Sequence, residues 1–113
     1  MRLKSEIWVT AYLRRCQAEA VPVVIVRRGN AEAGAIFISV DRLDGTACLY
    51  GPAPAGLAGS DTDRRWVRCL GLASPADVSA YLAKQIAFDP DLWIVEVEDK
   101  AGRHFLDNDV VEA

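Results

Sequence analysis

The stretch Ile36-Phe37-Ile38-Ser39-Val40-Asp41-Arg42-Leu43-Asp44-Gly45-Thr46-Ala47-Cys48-Leu49-Tyr50 decides the fold, because it holds two extended runs around a turn. Ile36, Ile38 and Val40 alternate with Phe37, Ser39 and Asp41, the period-two pattern of a strand. Asp44-Gly45 accepts the positive φ values of a tight reversal at little cost. A two-residue loop there pairs Val40 with Leu49 and Arg42 with Ala47. That register predicts Ile36, Ile38, Val40, Ala47 and Leu49 on one buried face, since side chains alternate.

Upstream, Val21-Pro22-Val23-Val24-Ile25-Val26 is a continuous, mostly β-branched run. Without alternation it reads as a strand covered on both faces, near the sheet centre, with Pro22 tolerated at its start. Residues 29–34 supply the turn to the hairpin. Before the run, Ser5 is the expected cap of a helix reaching about Ala20, whose wheel gathers Trp8, Val9, Tyr12, Leu13, Cys16 and Ala20 on one side.

Downstream, residues 51–63, GPAPAGLAGSDTD, are too rich in glycine, proline and small residues for a regular element and read as a flexible internal loop. Residues 64–70 alternate as a strand. Ser74-Pro75 opens a second helix with an apolar stripe of Val78, Tyr81, Leu82 and Ile86, and Asp89-Pro90 stops it. Residues 92–98 form a last strand before the Lys100-Ala101-Gly102 turn. The fold class is therefore α+β, in the order α-β-β-β-β-α-β: a mixed, mainly antiparallel sheet of about five strands with two helices, both expected on one sheet face.

A chain of 113 residues with 51% apolar content fits one ordered domain, residues 1–113. No run of ~18 apolar residues argues for a membrane span, and the opening Met1-Arg2-Leu3-Lys4-Ser5-Glu6 lacks a secretion signal, so a cytoplasmic location and no membrane partner are expected. Cys16, Cys48 and Cys69 lack Cys-x-x-Cys spacing and read as small apolar core groups. The net charge is −3, yet residues 1–28 hold six basic and two acidic side chains and residues 89–113 two and eight. In so short a domain such asymmetry predicts mutual neutralisation of the chain's ends.

The segments Arg2-Leu3-Lys4-Ser5, Ala11-Tyr12-Leu13-Arg14-Arg15, Arg42-Leu43-Asp44-Gly45, Gly51-Pro52-Ala53-Pro54 and Asp89-Pro90-Asp91-Leu92-Trp93-Ile94-Val95-Glu96-Val97-Glu98-Asp99 together resemble a family of short bacterial proteins classed as a domain of unknown function. The resemblance runs to about Gly102, and the Asp-Pro-Asp-Leu-Trp block is its most specific part. It implies a small α+β protein and brings no catalytic residue or cofactor with it.

Chemistry-bearing patterns are few. No Gly-x-Ser-x-Gly, dinucleotide-binding or phosphate-loop glycine motif occurs. The lone His104 reads as a surface turn residue. Asp89, Asp91, Glu96, Glu98 and Asp99 do not make a metal shell by themselves, because alternate strand residues stand ~6.5–7 Å apart. No cofactor or metal is expected.

Two groups remain as candidates. Arg64, Trp66 and Arg68 fall on one side of a strand, a guanidinium–indole–guanidinium row able to bind a partner or an anion. Glu96 and Glu98 either pair with Arg64 and Arg68 or join that surface. Arg14, Arg15, Arg27 and Arg28 form a candidate basic patch. The expected function is a non-catalytic protein-binding or adaptor module that self-associates or takes an unknown protein partner. The alternatives are a nucleic-acid-associated protein, with the four arginines and Trp66 as a stacking platform, and an enzyme with the 51–63 loop as a lid.

Overall fold

The computed structural model describes residues 2–54 and 64–111. Its elements are α1 (Ser5–Ala18), β1 (Val23–Arg27), β2 (Ile36–Asp41), β3 (Ala47–Pro52), β4 (Trp66–Ala73), α2 (Pro75–Phe88) and β5 (Trp93–Glu98), followed by a short 3-10 turn at Asp107–Asp109. The order α-β-β-β-β-α-β is the one expected. All five strands form one sheet in the spatial order β1-β5-β2-β3-β4. β5 runs parallel to β2, and every other pair is antiparallel.

The hairpin differs from expectation by one residue. Asp41 pairs with Ala47, Val40 with Cys48 and Ile38 with Tyr50. The Arg42 N–H donates to the Thr46 carbonyl at 3.0 Å, so Leu43, Asp44 and Gly45 form a three-residue loop in which Leu43 and Gly45 take positive φ. Asp44 Oδ1 accepts from the Thr46 amide and hydroxyl, which closes the longer loop. A slip of one residue turns every β3 side chain over. Cys48 and Tyr50 therefore join Ile36, Ile38 and Val40, whereas Ala47 and Leu49 join Phe37 on the opposite face.

Both faces of the sheet carry core, and the helices cover opposite faces rather than one. α1 packs Val9, Tyr12 and Cys16 on Ile36, Ile38, Val40, Trp93, Val95 and Val97. α2 packs Val78 and Leu82 on Phe37, Leu49 and Ile94. Two-sided burial makes β2, β3 and β5 the strands covered on both sides. β1, expected at the centre, is an edge strand. Val23 and Ile25 pack toward α1 while Val24 and Val26 stand 54% and 56% exposed, because α2 lies over β3 and β4 instead. A run of β-branched residues looks alike in either setting.

α1 begins at Ser5, and Lys4, not Ser5, is its cap residue. Its first free N–H groups are satisfied by the turn after β1: Ser5 N–H donates to Glu32 O and Glu6 N–H to Ala31 O. The buried Ser5 hydroxyl donates to Gly34 O at 2.6 Å. α2 has the expected cap, with Ser74 Oγ accepting from the Asp77 amide. Gly51 and Pro52 belong to β3 rather than to the loop, and residues 55–63 of that loop lie outside the described residues.

Residues 102–111 form a strap on the α1 side. Tyr12 donates to His104 O, Leu106 is buried, and Val111 N–H donates to Trp66 O at 2.7 Å. The strap ties the end of β5 to the start of β4 at the far edge. Phe105 and Asp107 take positive φ where it turns.

Candidate functional site

The arginine–tryptophan row is not displayed as a surface. Trp66 is 2% exposed and lies on the α1 side against Trp8. Arg64 precedes β4 and donates from Nη2 to Leu3 O at 2.9 Å and to Ser5 Oγ at 3.2 Å. Burial, and secondarily the nearby Arg2 charge, pull its pKa down. Arg68 is exposed. Glu96 and Glu98 sit on β5, separated from β4 by the two strands β2 and β3 and on the opposite face, so they neither pair with Arg64 and Arg68 nor share a site with them.

The four-arginine patch is divided. Arg15 makes a bidentate pair with Asp107 at 2.6 and 2.5 Å, beside the strap. Arg14, also near the end of α1, is exposed. Arg27 and Arg28 are at the other end of β1, where the start of α1 docks. Arg27 donates to Pro90 O at 2.7 Å, and the Arg28 guanidinium carbon stands 5.5 Å from the Trp93 ring centroid.

The Asp89-Pro90-Asp91-Leu92-Trp93 block has a structural task. Asp89 Oδ1 accepts from the Asp91 amide, Asp91 O accepts from Asn30 N–H at 2.8 Å, and Trp93 Nε1 donates to Asn30 O at 2.8 Å. Asn30 Oδ1 holds the amides of Glu32 and Ala33. The block thus clamps the 29–34 turn, which in turn receives the start of α1.

His104 is half-buried rather than a surface turn residue. Its Nδ1 accepts from the Leu106 amide, its ring stands edge-on to Tyr50, and burial lowers its pKa, so it is neutral at pH 7. Cys16 and Cys48 are buried and Cys69 half-buried; burial raises the pKa of Cys16 and Cys69, the opposite of an activated thiolate. Among the described residues no three His, Cys, Asp or Glu side chains converge as a metal shell. Nor is any helix among them long and apolar enough to cross a membrane.

What the fold assembles instead is a cleft on the α2 side beside the open edge. It encloses about 150 Å³ and is lined by Val26, Ile94, Val78 and Leu82 as apolar walls and by Ser39, Asp41, Ser79 and Glu96 as polar groups. Parallel pairing sets Ser39 opposite Glu96 and Asp41 opposite Glu98. Burial, then the charges of Asp41 and Glu98, raise the Glu96 pKa. Among the described residues none of Asp41, Glu96 and Glu98 is in an ion pair.

Of the sequence candidates, Glu96 lines this cleft and Glu98 adjoins it; Val24, Val26, Ser39 and Asp41 are not among those candidates. Their signal lay in the polar alternation of Ser39 and Asp41 along an otherwise apolar strand, which takes meaning only once β5 is known to lie beside β2.

Comparison with known proteins agrees with this architecture. The profile of a family described as protein of unknown function (DUF1491) matches residues 3–107. A DUF1491 family protein from Caulobacter crescentus CB15, solved as a crystal structure, is 38% identical with a TM-score of 0.81, over 98% of this chain and 99% of that one. A protein from A. tumefaciens, solved in solution, is 38% identical with a TM-score of 0.77, over 87% and 86% of the two chains. No curated protein matches significantly.

Proposed function

The chain belongs to the DUF1491 family, and from that premise we propose that it is a non-catalytic protein-binding module whose docking surface is the free edge of β1. The observation that carries this reading is that β1, a sheet edge, displays Val24 and Val26 beside an acidic cleft whose carboxylates are in no ion pair among the described residues.

An edge strand offers a row of unpaired backbone N–H and C=O groups, and an extended segment adds to it by main-chain hydrogen bonds while side-chain pockets set specificity. Val24 and Val26 provide apolar contact for alternate residues of such a segment. Charge complementarity selects a segment carrying basic residues, since Glu96 and Glu98 stand on β5, the strand next to the edge. The cleft volume of about 150 Å³ is below the ~300 Å³ at which small-molecule sites begin, which favours a single side chain over a substrate as its occupant.

Selection of random peptides on the immobilised chain tests the reading. Enriched peptides are expected to alternate apolar residues, to protect β1 amides from hydrogen exchange, and to lose binding to Val24→Asp/Val26→Asp. Peptides that bind that variant as well as the parent sink the reading. Concentration-dependent dimerisation abolished by the same variant would identify a second copy of the chain as the occupant of the edge.

A further inference from the structure

One of the bonds that shape the strap depends on a proton. His104 Nδ1 accepts from the Leu106 amide at 2.9 Å, so the neutral ring carries its proton on Nε2. The carbonyl of the same residue accepts from the Tyr12 hydroxyl at 2.6 Å, and the ring stands edge-on to Tyr50 with centroids 5.1 Å apart. The next residues, Phe105 and Asp107, take positive φ, which costs a non-glycine residue unless surrounding contacts hold it there. Those contacts are the Arg15–Asp107 and Arg65–Asp109 pairs, buried Leu106, and the Val111 N–H bond to Trp66 O. An imidazolium donates from both nitrogens and accepts from neither. Protonation of Nδ1 therefore sets one N–H against another at the point where the strap turns.

We propose that His104 is the latch of a pH-sensitive strap, whose protonation releases residues 104–111 from α1 and from the start of β4. Release opens the groove between α1 and the strap, about 190 Å³ with Trp8, Tyr12 and Leu106 among its walls. It also frees the outer edge of β4 at Trp66, where Val110 now forms a parallel bridge. The device lies at the sheet edge opposite β1 and stands apart from the strand-docking reading. The groups facing the imidazole are Tyr12 and Arg15 from α1, Tyr50 from β3 and Asp107 from the strap. Arg68 and Arg42 act on Tyr50 behind the ring. Burial keeps both tyrosines neutral, and the Arg15 bond holds Asp107 ionised below the ordinary carboxylate range. Of these groups His104 alone changes charge between pH 7.5 and pH 5. In the closed strap burial outweighs the Asp107 charge and holds the ring's pKa below its ordinary value. A released strap returns the ring to about 6.5, so the open form binds more protons and gains population as pH falls.

The test follows the isotopically labelled full chain by NMR from pH 7.5 to pH 5, reading the His104 ring nitrogens and amide exchange corrected for its intrinsic pH dependence. Protection of the Leu106, Asp109 and Val111 amides is expected to fall on the order of tenfold as the ring titrates, while Val95 and Val97 in β5 stay protected. His104→Asn places a side-chain oxygen where it accepts from the amide two residues on, as in an Asx turn, and does not titrate. That variant is expected to keep the strap protected at both ends of the range. His104→Ala, which has no acceptor, is expected to show the low protection already at pH 7.5. Strap protection that stays constant while the ring titrates, a ring still neutral at pH 5, or an equal loss in His104→Asn overturns the latch. Joint loss of protection in the strap and in β5 overturns it as well, because the whole domain then opens rather than the strap.

Discussion

Trp66 lies against Trp8 with ring centroids 5.0 Å apart and planes tilted by 40°. Trp8 also stacks on Tyr12, whose hydroxyl is bonded to the strap, so one aromatic layer joins α1, β4 and the chain's last turn. Trp66→Ala is therefore expected to act on stability, costing about 3–5 kcal/mol as a buried aromatic truncation does. Arg68→Ala, at an exposed position, is expected to stay within about 0.5 kcal/mol of the parent. Urea unfolding of the two variants measures both; equal midpoints would place Trp66 outside the core.

Gly29 carries no side chain because none fits. A Cβ there would meet the Asp91 carbonyl and come within 2.6 Å of Leu92 C and Trp93 Cδ1. Gly29→Ala forces apart the 29–34 turn and the Asp91–Trp93 segment, and through Ser5 and Gly34 it loosens the start of α1. The expected cost is about 1–3 kcal/mol, typical of overpacking against backbone. A Gly29→Ala chain with unchanged thermal midpoint would show that the junction contributes nothing.

Much of this was legible in the residues because local rules govern it. Ser74-Pro75 starts α2 as a capped helix, and Asp44-Gly45 marks the hairpin. What escaped depends on relations between distant elements. Asp44-Gly45 suits loops of two residues as well as three, and only the Asp44–Thr46 bonds and the positive φ of Leu43 select the longer one. Val21 to Val26 does not record which strand flanks it. That β5 inserts between β1 and β2 is a non-local pairing, and it is this insertion that sends β1 to the edge and sets Glu96 beside Ser39. The same insertion separates Glu96 and Glu98 from Arg64 and Arg68.

Asp99 links stability to acid. It is nearly buried and accepts from Arg103 N–H, Nε and Nη2 at 2.8, 2.9 and 3.1 Å, and these bonds hold its carboxyl below the ordinary range. A carboxyl whose folded pKa is depressed contributes stability that is fully present above its unfolded pKa, near 3.9, and is lost as pH falls through the folded value. Asp99→Asn is expected to cost about 1–3 kcal/mol at pH 7, and its deficit relative to the parent should shrink below about pH 4. A deficit independent of pH down to acid unfolding would assign the loss to packing instead.

Glu96 has the opposite sign. Burial and the charges of Asp41 and Glu98 raise its pKa, so the folded chain holds this proton more tightly than the unfolded one. The ionised group then costs stability at all pH values above its folded pKa. That cost fades as pH falls toward the unfolded value near 4.3. Glu96→Gln is accordingly expected to be slightly more stable than the parent at pH 7.5, by at most about 0.5 kcal/mol at a half-exposed position, with the two converging near pH 4.5. Urea midpoints at the two pH values measure it. A less stable variant at pH 7.5 would mean that the folded chain gives Glu96 a cationic partner.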